Sequence, residues 1–360
     1  MTKPKHKVFI ILTLIFTLIT TSCALWTEDE PEEMKVAVLN YTSDDIFINT
    51  VNEKLLASFR QREDYLASEG IDLQIYVDTF SANSSQITQT QQVERLVQQN
   101  YDVLLVNIVD RTRASQIIEL SRSNDIPVIF FNREPVSEDL DTWNKAYYIG
   151  TSARNEGKLQ GEILVELLDE NFEEVDKNND GIIQYLLIEG EVGHQDAILR
   201  SDVSVETVNN AGYQTEMLDR ENADWLFSRA YSMMSAWIDE FPEEVEVIIS
   251  NNDDMAVGAI KALEDSDNDY YRESAPIILG MDATPDGLAA IKSGKMYGTV
   301  VNDAVNIAST LVDLAIYLAE DITIANEILD NNNDDIVRIP NRIVTAENIE
   351  EELELAKAVK

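Results

Sequence analysis

Residues 101–134, YDVLLVNIVDRTRASQIIELSRSNDIPVIFFNRE, hold two apolar runs on either side of one amphipathic stretch. In VLLV and VIFF the apolar side chains follow one another without alternation, the pattern of strands buried on both faces. RASQIIELSRSND between them reads as a helix. Doubly buried strands alternating with helices imply a parallel sheet covered by helices on both sides.

The same alternation extends in both directions. Upstream, KVAVLNY (35–41) and DLQIYVDT (72–79) read as strands, and 46–68 and 86–99 as helices. Downstream the series restarts with the strands KAYYIGT, IIQYLLIEGE, YQTEMLD, VEVIISNND, APIILGMD and YGTVVND. Helices are expected between them over 154–169, 196–211, 222–240, 254–264 and 285–292. Two α/β units of similar size follow one another. Open α/β sheets bind ligands beyond the carboxyl ends of their strands, so the residues just after each strand matter most.

Those positions carry Asp45 and Phe47, Asn132, His194 with Asp196 and Arg200, Asn252 and Asp253, Asp282, and Asn302 and Asp303. A single Asn or Asp there reads more simply as a helix cap or turn residue. Six strand ends with such groups point further. Together with Phe47 and Trp225 they offer carboxylates, amides, one imidazole, one guanidinium and two flat apolar faces. A ligand with many hydroxyls and an apolar C–H face uses all of these, which describes a pyranose sugar.

Composition narrows the partners. The 360 residues include 27 Lys+Arg and 67 Asp+Glu, a formal net charge of −40, which argues against a nucleic-acid partner held through its phosphates. At the start, Lys3, Lys5 and Lys7 precede a short apolar run and small polar residues leading to Cys23, the pattern of an export signal. The run falls short of the about 20 apolar residues of a membrane span. Cys23 is the only cysteine, so no disulfide framework is expected. ITTSC resembles a bacterial lipobox, with Thr20 departing from it, and implies a lipidated Cys23. The expected organisation is a signal peptide over 1–22 and an acidic tether over 23–34.

From Lys35 onward the chain resembles the periplasmic galactose/glucose-binding proteins of bacterial ABC sugar importers. The matching segments include DDIF, VNIVDRTRA, VIFFNREP, DKNNDGIIQYLLIEGEVGHQDAILR, IISNNDDMAVGAIKAL and LGMDATPDGLAAIKSGKMYGTVVNDA. The resemblance implies an α/β fold of two Rossmann-like lobes with parallel-sheet cores joined by a hinge, the type I periplasmic-binding-protein fold. The lobes are expected over 35–151 with 302–339 and over 152–301 with 340–360. It implies that Asp45, Asn132, His194, Asp196, Arg200, Asn252, Asp282 and Asn302 hydrogen-bond the sugar, and that Phe47 and Trp225 sandwich the ring. For Trp225 a place on the apolar face of helix 222–240 is the competing reading. For Asp253 and Asp303 helix capping is preferred.

A second motif is DKNNDGIIQ, residues 176–184. Asp176, Asn178, Asp180 and Gly181 fit the first six positions of an EF-hand loop, where alternate oxygen-bearing side chains converge on Ca²⁺. Position 12 is Leu187, so the bidentate carboxylate is missing. The resemblance supplies Glu246 in its place, with Ile182 giving its carbonyl and Gln184 its side-chain oxygen. Calcium would then be structural.

The implied function is capture of glucose or galactose by a monomer, with delivery to a permease and no chemistry on the sugar. A chemoreceptor or sensor kinase is a further partner the same binding would serve. Two rivals are a lipid-anchored sugar-active enzyme using Asp196 or Asp282 with His194, and a sugar-responsive transcription regulator. The first lacks a Ser–His–Asp elbow, a nucleotide-binding loop and a helical His pair. The second has an export signal where its DNA-binding headpiece should stand.

Overall fold

The computed structural model describes residues 32–324, 326–327 and 335–355. Cys23, the expected signal segment and most of the expected tether lie outside the described residues. The first unit contains β1 (Glu32–Asn40), α1 (Ile46–Ser68), β2 (Leu73–Ser81), α2 (Gln86–Leu96), β3 (Val103–Val106), α3 (Ala114–Ser123), β4 (Val128–Phe131), the short α4 (Ser137–Leu140) and β5 (Ala146–Gly150). The second contains α5 (Ala153–Val175), β6 (Ile182–Glu189), α6 (Gln195–Asn210), β7 (Gln214–Asn222), α7 (Phe227–Glu240), β8 (Val247–Ser250), α8 (Asp253–Asp265), α9 (Asp269–Glu273), β9 (Ile277–Leu279), α10 (Pro285–Lys292) and β10 (Gly298–Val301). The chain then returns through α11 (Ala304–Glu320) and β11 (Ile336–Arg338) to the first unit. It ends in the second with β12 (Arg342–Thr345) and a helix over Ile349–Leu355.

Each unit is one six-stranded sheet, in the orders β11-β5-β4-β3-β1-β2 and β12-β10-β9-β8-β6-β7. All pairs are parallel except β10 with β12. The two sheets share one winding, so the turning points of strand order fall between β1 and β3 and between β6 and β8. Ligand crevices form at such points. β3, β4, β8 and β10 are buried along their whole length, as their unbroken apolar runs require. Apolar clusters lie on both faces of each sheet, with α1 and α11 on one face of the first and α2 and α3 on the other. Between α1 and α11, Arg62 meets the buried Asp313 in a bidentate pair, at 2.6 and 2.9 Å.

Three segments cross between the lobes, after β5, after β10 and after β11. The expected boundaries at 151/152, 301/302 and 339/340 fall in them. They are hydrogen-bonded to one another and to the adjoining strand ends. Arg338 Nη1 donates to the Thr151 carbonyl at 2.8 Å, and Asn341 Nδ2 donates to the Val301 carbonyl at 3.1 Å.

Several expectations are corrected. The strand expected from Lys35 begins at Glu32, because residues 32–34 already pair with β2 and Met34 is fully buried, so the expected tether ends sooner. The helix expected from 222 begins at Phe227, because pairing with β6 carries β7 on to Asn222. Trp225 therefore sits in the intervening turn, at φ 66°, and not on a helix face. The helix expected over 154–169 runs on to Val175, interrupted by the non-helical Asn171. Asp253 does not cap α8, since Asn252 does. Its buried carboxylate instead accepts from the Thr284 amide and the Thr299 hydroxyl, both at 2.7 Å. Asp303 caps α11 as expected. Among the described residues no helix is long and apolar enough to cross a membrane.

Candidate functional site

Asp45, Phe47, Asn132, His194, Asp196, Arg200, Trp225, Asn252, Asp282 and Asn302 all line one cavity between the lobes, joined by Tyr41 and Arg133. Tyr41 and Phe47 bring aromatic rings from the first lobe and Trp225 one from the second.

Helix capping and cavity lining turn out to be one arrangement, where the sequence set them against each other. Asp45 caps α1 with Oδ1, which accepts from the Ile48 amide at 3.0 Å, while Oδ2 accepts from the Tyr41 hydroxyl at 2.6 Å. Asn252 caps α8 through Oδ1, at 2.9 Å from the Met255 amide, and its Nδ2 reaches the Trp225 carbonyl at 3.3 Å. His194 caps α6, its Nδ1 accepting from the Asp196 amide at 3.1 Å. An Nδ1 that accepts is unprotonated, so in the neutral ring the proton sits on Nε2 as a donor. Burial, with Arg133, Arg200 and Arg111 nearby, holds its pKa well below the ordinary imidazole value. The imidazole is therefore a fixed neutral donor.

Arg200 is, with Arg133, one of two buried cations of the site. Its Nε donates to Glu156 Oε2 at 2.7 Å and its Nη1 to the Asn251 carbonyl at 2.9 Å. Asp282 Oδ1 lies 3.7 Å from Nη2, and the Trp225 ring centre 5.9 Å from the guanidinium carbon. Asp282 has φ 103°, a strained backbone for a residue with a side chain and of a kind concentrated at functional sites. Burial raises the Asp282 pKa well above the usual carboxylate range and that of Asp196 to about 6, with Arg200 pulling both down. Arg200 thus opposes the loss of charge that burial favours at both.

Two cavity residues escaped the sequence reading. Arg133 lies over the Tyr41 ring, 3.6 Å from its centre, donates to the Val109 carbonyl, and meets Glu191 of the other lobe at 2.6 Å. This contact joins the lobes across the cleft mouth, away from the crossing segments. Tyr41 and Arg133 stand directly after β1 and Asn132, so the strand-end rule reaches both. Their stacking on each other is a tertiary fact.

The loop 176–184 lies at the other end of β6. Asp176 Oδ2 accepts from the Gly181 amide at 2.9 Å and Asn178 Oδ1 from the Asp180 amide at 2.8 Å. Glu246 reaches the loop as expected, but its oxygens accept from the Lys177 and Gln184 amides, at 2.6 and 3.0 Å. Among the described residues no three acidic, His or Cys side chains converge on one point. Asp176, Asp180 and Glu246 with the oxygens of Asn178, Gln184 and Ile182 are nonetheless an all-oxygen set, which fits a hard cation such as Ca²⁺.

Comparison with known proteins agrees with this architecture. The D-galactose/methyl-galactoside binding periplasmic protein MglB of Haemophilus influenzae is 35% identical over 269 residues, 74% of this chain and 79% of that protein. A solute binding protein of an ABC transporter from Bacillus halodurans, solved with bound myo-inositol, is 26% identical with a TM-score of 0.68, covering 89% of this chain and 96% of that one. A periplasmic solute binding protein from Actinobacillus succinogenes, solved with D-allose, has a TM-score of 0.72 at 17% identity over 88% and 99% of the two chains, a likeness of fold. A profile of the periplasmic binding protein domain matches residues 36–322. With its two wound lobes, its three crossing segments and a polar cavity between them, the chain belongs to the periplasmic binding protein domain family.

Proposed function

We propose that the protein is the exported sugar-capturing component of an ABC importer, that its ligand is glucose or galactose, and that Cys23 carries a lipid anchor. The observation that carries the sugar reading is the cavity itself. Three carboxylates, two guanidiniums, a neutral imidazole donor, three amides and aromatic rings from both lobes line one cavity. The 35% identity to a galactose-binding relative favours a hexose.

In this reading Phe47 and Trp225 cover the ring faces, His194 Nε2 and Arg200 donate, and Asp45, Asp196 and Asp282 accept. Specificity follows from burial. A sugar with a hydroxyl missing leaves a desolvated group unpaired, at about 1–3 kcal/mol each. Closure sets Arg133 against Glu191 and presents both lobes to the permease. Calorimetric titration with glucose, galactose, ribose, arabinose and myo-inositol tests this. One-to-one binding of a hexose with the sugar recovered unchanged is expected, and no binding of either hexose would refute the reading. An intact mass without acyl chains would remove the anchor.

Affinity is expected to depend on pH in a set direction. Asp196, raised to about 6 by burial first, is protonated below that pH in the free protein and then loses its charge as an acceptor. Binding to its charged form releases a proton. The dissociation constant should rise as the pH falls through about 6, up to tenfold per unit. Titrations across pH 5–8 in buffers of differing ionisation enthalpy measure both effects, and a constant affinity down to pH 5 would contradict them.

We also propose that loop 176–184 with Glu246 holds calcium as a structural ion. Bound calcium stabilises only the folded state, by about 2.7 kcal/mol at a hundred times its dissociation constant. Melting of the sugar-free protein should rise with calcium and cease to respond in Glu246→Gln. The sugar site lies at the far end of β6, roughly 23 Å away at ~3.3 Å per residue, so affinity should change little. Calcium-independent melting of the wild type would end this proposal.

A further inference from the structure

Glu156 does not line the cavity, yet it is fully buried in the first turns of α5. Its carboxylate faces two ways. Oε2 accepts from Arg200 Nε at 2.7 Å, in a pair whose side chains are only 6% and 1% exposed. Oε1 accepts from the Thr151 hydroxyl and, at 3.3 Å, from Asn341 Nδ2. Thr151 belongs to the first crossing segment and Asn341 to the third. The Thr151 hydroxyl also lies 3.3 Å from Asn302 Oδ1, in the second. One carboxylate thus touches the Arg200 guanidinium and, directly or through one hydroxyl, all three segments about which the lobes turn.

Neutralising Arg200 would need only the first of these contacts. A buried ion pair is costly to desolvate and is weak support for stability by itself. The second oxygen is placed on the hinge. Rotation of the lobes twists the crossing backbones, which moves Thr151 and Asn341 relative to α5 and so changes what Oε1 accepts. Arg200 feels that change through the shared carboxylate.

We propose that Glu156 is a positioning residue that couples the orientation of Arg200 in the cavity to the angle between the lobes, so that the guanidinium is fixed for ligand when the cleft is closed. The ligand half of this rests on the sugar-capture reading, whereas the hinge half does not.

The test is a double-variant cycle of Thr151→Val and Glu156→Gln, read by sugar titration and by small-angle scattering with and without hexose. Thr151 is outside the cavity lining, and valine keeps its shape. Thr151→Val should weaken binding about 3- to 10-fold, the worth of one hydrogen bond, and move the compaction midpoint by the same factor. Glu156→Gln should weaken it more, and Thr151→Val should then cost nothing further, because the group it acts through is gone. A merely structural Glu156 would lower the melting temperature but leave Thr151→Val binding like wild type. That result, repeated in Asn341→Leu, overturns the proposal, as would additive effects in the cycle. If the wild type binds no hexose, the capture reading is what fails. The sugar-free radii of gyration then decide: a radius altered by Thr151→Val supports the coupling, and identical radii overturn it.

Discussion

Arg200→Ala is expected to weaken sugar binding on the order of 100-fold or more and to lower the melting temperature as well. Removing one partner of a buried, hydrogen-bonded charge pair costs roughly 2–5 kcal/mol in binding, mostly because the other charge is left unpaired. Here more than one charge is left. Glu156 loses its 2.7 Å partner, Asp282 the cation 3.7 Å away, and Asp196 the group that chiefly offsets its burial. Without Arg200 the pull that opposes burial at both aspartates is lost and their pKa values rise further, so the variant weakens its charged acceptors together with losing its donor. Raising the pH should recover part of the loss, which truncation of a simple contact would not do. Arg200→Lys keeps the charge without the planar fork and should fall between the two. Titration beside calorimetric melting reads both effects, and affinity within tenfold of wild type in the alanine variant would show that Arg200 faces no ligand.

What was legible in the sequence and what was not divide along physical lines. Buried parallel strands announce themselves by composition, and the strand-end rule pointed to Asp45, Phe47, Asn132, His194, Asp196, Asn252, Asp282 and Asn302, which fold onto one cavity with Arg200 and Trp225. Element ends were less legible where pairing overrides local pattern, as when β6 carries β7 on to Asn222 and leaves Trp225 in a turn. Cap and ligand readings looked exclusive because a sequence shows one side chain at a time. In space, Asp45 caps with one oxygen and keeps the other beside Tyr41. Glu156 had no signal at all. In ARNEGKLQGE a glutamate reads as part of a solvated helix face, and only the packing of α5 on α6, with the crossing segments above, buries it. Gly157 permits that packing, since a Cβ there would press on the Arg200 backbone.

Gly190→Ala is expected to cost about as much affinity as removing Trp225, roughly 10- to 100-fold, through a single methyl group outside the cavity. A Cβ at 190 would overlap the six-membered part of the Trp225 indole. The backbone at 190 has little room to yield, because its amide donates to Asn251 Oδ1 at 3.1 Å and its carbonyl accepts from Asn222 Nδ2 at 2.9 Å. The ring must therefore move, and its own backbone is held at φ 66° in a turn closed by the Leu226 amide on the Ala223 carbonyl at 2.9 Å. Moving it also breaks the edge contact with His194, whose ring centre lies 5.2 Å away at 81°. Overpacking of this kind costs about 1–3 kcal/mol of stability, so the fold should survive for titration. Gly193→Ala is the contrast. Its φ of 79° strains an alanine, but nothing lies within 4 Å of the added Cβ, so some stability should be lost with affinity nearly intact. If Gly190→Ala acts through the indole, combining it with Trp225→Ala should add little to either change alone. Wild-type affinity in Gly190→Ala would mean that the indole can yield without loss, and that the ring face of the sugar is covered by Phe47 alone.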